Sequence, residues 1–137
     1  MSKRRIAFLP ALTFLLLTVG LSQEQNQNVP LVTFSDLQQS DSIQSPFRIV
    51  GYVLNIYKCP PCPPGAMCKP CVPNNIIITD AADPKDLSRI NRLRIFTEKP
   101  HELEPKKKYS FTVKLKHKLS AGQAITDVDL VSFEPLK

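Results

Sequence analysis

Phe47-Arg48-Ile49-Val50-Gly51-Tyr52-Val53-Leu54-Asn55-Ile56-Tyr57-Lys58 is the stretch from which the architecture follows. It is rich in Val, Ile and Tyr, and both of its alternating sets of side chains are apolar over much of its length. That pattern predicts a long strand over residues 47–58 with a wet side only in part. Gly51, in its middle, predicts a bend or bulge, which would let one strand serve two halves of a curled sheet.

Four further strands follow towards the C-terminus. Asn-Asn-Ile-Ile-Ile-Thr-Asp at 74–80 and Leu-Arg-Ile-Phe-Thr at 93–97 are short and apolar. Between them, Asp-Pro-Lys-Asp-Leu-Ser-Arg-Ile is expected to form a single helical turn. Pro100 and Pro105 bracket a loop or very short helix. Residues 109–119 then alternate, with Phe111, Val113, Leu115, His117 and Leu119 on one face and Thr112, Lys114, Lys116 and Lys118 on the other. A period of two with one basic face predicts a half-buried strand. The last strand is expected at 126–133, after a turn at Ser120-Ala121-Gly122. Upstream of the first strand, Ser35 with Gln38 three residues later reads as a capping box for a short helix over 36–39.

Five strands in about 90 residues, the first long and kinked, favour a small closed barrel over a sandwich. Thr33-Phe34-Ser35-Asp36-Leu37, a spacer and the 47–58 strand resemble the entry to exported OB-fold modules. Leu103 to Leu115 followed by Asp127 to Leu136 is similar to the last two strands of such barrels. The resemblance covers residues 32–136 and implies a mainly β, five-stranded OB-like barrel, with a short N-terminal helix and a Pro/Cys-rich loop between strands 1 and 2. It departs from the family in the shrunken segment between strands 3 and 4. OB-like folds carry varied ligands, so the resemblance implies no single function.

The N-terminus has the tripartite pattern of a secretory leader. Lys3, Arg4 and Arg5 precede an apolar run from Ile6 to Gly20, and Gly20 and Ser22 are placed for cleavage before Gln23. The expected organisation is a signal peptide at 1–22, a polar flexible leader at 23–31 and a barrel domain at 32–137, secreted or periplasmic. The alternative is a retained anchor, for which the run is short and Pro10 unfavourable. Three of the 18 basic residues lie in this segment, so the mature chain sets 15 against 12 acids, about +3. That mild charge does not argue for nucleic acid, and 137 residues exclude a multidomain enzyme.

The dense motif is Cys59-Pro-Pro-Cys62-Pro-Pro-Gly-Ala-Met-Cys68-Lys-Pro-Cys71-Val-Pro. Four cysteines in a short exported chain are expected to form two disulfides. In a hairpin the nested pairing is 59–71 with 62–68; 59–62 with 68–71 and 59–68 with 62–71 stay open. Gly65 near the centre permits a tight turn. The alternative is a soft-metal site, Zn or Cu, using Cys59, Cys62, Cys68 and Cys71 as four thiolates. A redox-active dithiol fits worse, because Pro63-Pro64-Gly65 is a poor helix start and the thioredoxin context is missing.

A Pro-rich loop so clamped would present Pro63, Pro64, Ala66 and Met67 to a partner. Arg94, Lys114, Lys116 and Lys118 are candidate contacts for an anion, with a solvated, edge-protecting basic face as the plain reading. His101 reads as solvated and His117 as half-buried, and neither lies in a recognisable triad. The expectation is therefore a non-enzymatic binding or structural module without a resident cofactor. Its partner would be a protein, an anionic glycan or a lipid headgroup rather than nucleic acid.

Overall fold

The computed structural model describes residues 28–87, 91–120 and 122–137, so the leader at 1–22 lies outside the described residues. A short helix, α1 (Phe34–Gln39), precedes five strands: β1 (Phe47–Tyr57), β2 (Asn75–Thr79), β3 (Arg92–Phe96), β4 (Lys108–Leu115) and β5 (Ile125–Pro135). They close in the order β1-β2-β3-β5-β4 and back to β1. Only β3 and β5 run parallel; the other pairs are antiparallel. The chain is a small OB-like barrel, as the strand series predicts.

Closure depends on β1 being long. Phe47 to Tyr52 pair with β4, and Tyr52 to Tyr57 pair with β2. The one strand therefore does serve both halves, but the irregularity falls between Val53 and Asn55, not at Gly51. Gly51 is required for a different reason: a Cβ there would lie 2.9 Å from the Thr79 carbonyl oxygen and 3.2 Å from Phe34. The backbones pass too close for a side chain.

Alternation fills the interior. Phe47, Ile49, Val53, Ile76, Ile78, Leu93, Ile95, Phe111, Val113 and Val128 are fully buried. Each such side chain contributes roughly 1.5–3 kcal/mol of transfer free energy. Tyr109 is buried with its hydroxyl satisfied by the Glu104 N–H at 3.1 Å, and its ring meets Phe133 edge-on.

Several local expectations are corrected. The helix is capped by Thr33, not Ser35. Thr33 Oγ1 accepts from the Asp36 N–H, and the Asp36 carboxylate accepts from the Thr33 N–H, so Asp36 does the work expected of Gln38. Phe34 and Leu37 thereby face the core. The Arg48 N–H donates to the Pro30 carbonyl at 2.8 Å and Leu31 forms an isolated bridge with Arg48, so the chain just before α1 lies along β1. Residues 81–87 form bends and a turn, and residues 88–90 of the expected helical turn lie outside the described residues. The Pro-bracketed segment is a short 3-10 helix, Pro100–Glu102. Finally, β4 stops at Leu115, so His117 is exposed instead of facing the core.

Candidate functional site

Residues 58–74 connect the antiparallel pair β1 and β2, and the hairpin sets Cys59 opposite Cys71. The cysteines form the nested ladder: Cys59 with Cys71 and Cys62 with Cys68, with Cα atoms 5.9 Å apart in both pairs. That separation is normal for a bridge. With both bridges made, no sulfur is left as a thiolate ligand. Among the described residues no group of three or more His, Cys, Asp or Glu is placed to hold a metal ion.

Asn74 is the clasp at the base. Its Oδ1 accepts the Cys59 N–H at 2.8 Å, and its carbonyl accepts the Thr97 N–H at 3.1 Å. The loop is thus tied to the exit of β3 as well as to its own strands. At the tip, the Ala66 N–H donates to the Pro63 carbonyl at 3.1 Å, with Gly65 at φ +79°. Pro64 then Gly65 at the central positions is the chemistry of a type II turn. Pro60, Pro61, Pro70 and Pro73 stiffen the remainder. Pro63, Pro64 and Ala66 are exposed, and Met67 is wholly so. An apolar tip held in water by covalent and hydrogen-bonded struts is the main feature of this surface.

The candidate anion contacts behave differently. Lys114 lies on β4, exposed, whereas Lys116 and Lys118 follow the strand, so no three-lysine stripe forms. Arg94 is held by Asp127 in a two-pronged bond, Nε at 2.8 Å and Nη2 at 2.9 Å. This hydrogen bonding raises the guanidinium pKa above its ordinary value. Lys116 pairs with Asp129 at 3.2 Å and covers the Phe96 ring at 4.3 Å, with Arg94 5.5 Å from the same ring. The structure therefore does bring Arg94 and Lys116 together, over an aromatic that sequence reasoning did not single out, and each meets a carboxylate. Lys118 and Arg94 border a small depression of about 130 Å³ with exposed His117. His101 is exposed on the 3-10 segment.

A second feature escaped the sequence. An open cleft of about 1110 Å³ lies at the base of the loop. Cys59, Pro60, Pro61 and Pro73 form one wall, Phe96 and Glu98 belong to the exit of β3, and residues 129–133 of β5 form another wall. The β5 ladder slips here: Val113 pairs with Leu130 and Thr112 with Ser132, leaving Val131 as the extra, half-exposed residue. Past Asp129, no strand among the described residues pairs with β5 on its β3 side. The one local signal was two successive apolar residues, Leu130-Val131, where alternation would place one polar.

Fold and site together define the chain as an OB-like barrel carrying a disulfide-clamped, proline-rich loop between its first two strands. In comparison with known proteins, the sequence matches no family and no curated protein. Among solved structures, a crystal structure assigned to an aspartyl-tRNA synthetase from Leishmania major Friedlin superposes with a TM-score of 0.46 at 9% identity. The match covers 84% of this chain and 22% of that one, and a likeness of this size says nothing about activity.

Proposed function

We propose that the chain is an exported, non-enzymatic binding module and that the loop of residues 58–74 is the surface it presents. The observation that carries this reading is the combination of an exposed apolar tip with two nested bridges and the Asn74 clasp. A free loop loses about 0.5–1.5 kcal/mol for each rotamer-rich side chain it orders on binding; a loop fixed beforehand loses less. The loop between strands 1 and 2 is a ligand-contacting loop in OB-like barrels, which supports the assignment. Paired cysteines are stable in oxidising compartments and agree with the leader-like N-terminus. His101 and His117 are both exposed, on different connections, which suits a role without chemistry. A protein partner suits the apolar tip better than an anionic glycan or lipid headgroup does, because Arg94 and Lys116 are matched by Asp127 and Asp129.

Met67 offers a direct test, since Met1 is lost with the leader and Met67 is then the sole methionine. The full chain is expressed in its own host with a photo-crosslinking methionine analogue and illuminated after export. A discrete adduct that vanishes in the Cys62→Ser/Cys68→Ser variant is expected. Retention of the chain inside the cell, or no adduct at all, would overturn the reading.

A further inference from the structure

The loop and the cleft at its base share the residues Cys59, Pro60, Pro61 and Pro73, and the inference drawn from them rests on the binding-module reading above. The tip is an apolar knob, Pro63-Pro64-Gly65-Ala66-Met67, followed within two residues by the exposed cation Lys69. The cleft supplies the complement: apolar surface from Pro60, Pro61, Phe96 and Val131, with charges at its rim. Those charges are matched in pairs, Lys99 with Glu102 at 3.5 Å and Lys116 with Asp129 at 3.2 Å. Glu98 is exposed and has no ion-pair partner among the described residues, and the same is true of Lys69. An occupant that is apolar and brings one cation therefore completes the cleft, and the molecule itself carries such a group.

Position adds a geometric argument. The cleft sits at the base of the same loop whose tip is the knob, with Cys59 and Pro73 in its wall. A two-fold axis through the middle of the loop lays two loops antiparallel, so that each tip meets the other's base. Both contacts form at once, and the assembly closes as a symmetric dimer instead of growing into a filament. We propose that this protein pairs with a second copy of itself, the Met67 tip of each protomer entering the cleft of its partner and Lys69 meeting Glu98 across the interface.

The test is sedimentation equilibrium of the exported, fully oxidised protein from micromolar to millimolar concentration. A reversible monomer–dimer equilibrium is expected. Met67→Asp, placed on a fully exposed side chain and so without effect on folding, should raise the dimer dissociation constant about tenfold or more. Lys69→Glu and Glu98→Lys should each weaken the dimer by roughly tenfold, because each acts at two symmetric contacts. The double charge exchange should restore it. A protein that stays monomeric throughout overturns the proposal. So does a dimer indifferent to Met67→Asp, or one that the double exchange fails to rescue. The Met67 adduct separates this failure from that of the broader reading: an adduct to a different protein leaves the binding module standing without the dimer.

Discussion

Removing the two bridges one at a time should have unequal effects, and the difference follows from where each one sits. Cys59 and Cys71 are 12 residues apart and join the ends of β1 and β2, which the barrel holds in place whether or not they are linked. The bridge therefore restricts the unfolded chain far more than the native one. Closing about 13 residues is worth roughly 3 kcal/mol in the chain-entropy relation, and about 2.5 kcal/mol once the inner bridge has shortened the effective loop to about eight. For a domain of this size, Cys59→Ala/Cys71→Ala should lower the melting temperature by roughly 10 °C. Cys62 and Cys68, six residues apart, close a tip that touches no core residue and keeps one backbone hydrogen bond, Ala66 to Pro63. Without that bridge the tip loosens in both states, so Cys62→Ala/Cys68→Ala should cost less than about 0.5 kcal/mol of global stability. Its signature is local: faster hydrogen exchange at the Ala66 amide. Thermal denaturation under oxidising conditions, together with amide exchange, measures both. An unchanged melting temperature in the outer variant, or equal losses in the two, would refute the reasoning.

Three further outcomes are expected. Gly51→Ala should destabilise by about 1–2 kcal/mol in urea titration, because the new methyl meets the Thr79 carbonyl oxygen at 2.9 Å, backbone that cannot give way cheaply, and the entropy gained by replacing glycine offsets only part of that. Asp36 has its pKa held below the ordinary 3.8, chiefly by the Thr33 N–H and then by the Thr33 hydroxyl, so its contribution is present above that value and disappears as pH falls through the lowered one; Thr33→Ala should move the Asp36 carboxyl titration, followed by NMR, upward toward 3.8. Asn74→Ala removes the acceptor of the Cys59 N–H and should accelerate exchange at that amide while costing about 1 kcal/mol of stability in denaturant melts.

The barrel was legible because its strands are coded locally. The period of two in 109–115, the short Ile-rich run at 76–78 and the doubly apolar 47–58 stretch each specify a strand and its inward face, whereas the nested cysteine pairing was one of three that the spacing left open. What failed was coded by competition or by distance. Thr33/Asp36 and Ser35/Gln38 are overlapping candidate caps, and the short Asp36 carboxylate, reaching the Thr33 N–H at 2.8 Å, decided between them. The alternation through His117 continues on paper, but the chain bends at Lys116, whose ammonium turns over Phe96 to Asp129. The matching of Arg94 by Asp127, 33 residues away, and the cleft walled by the loop, β3 and β5 depend on barrel register, which no local pattern contains.

The measurement closest to the central claim is the intact mass of the exported protein, native and denatured, with alkylation before reduction. The account predicts a chain beginning at Gln23, four hydrogens lighter than its fully reduced form and unmodified by the alkylating agent. Four alkylatable thiols, with extra native mass matching zinc or copper, would contradict it and make the cysteine loop a metal site instead of a clamp.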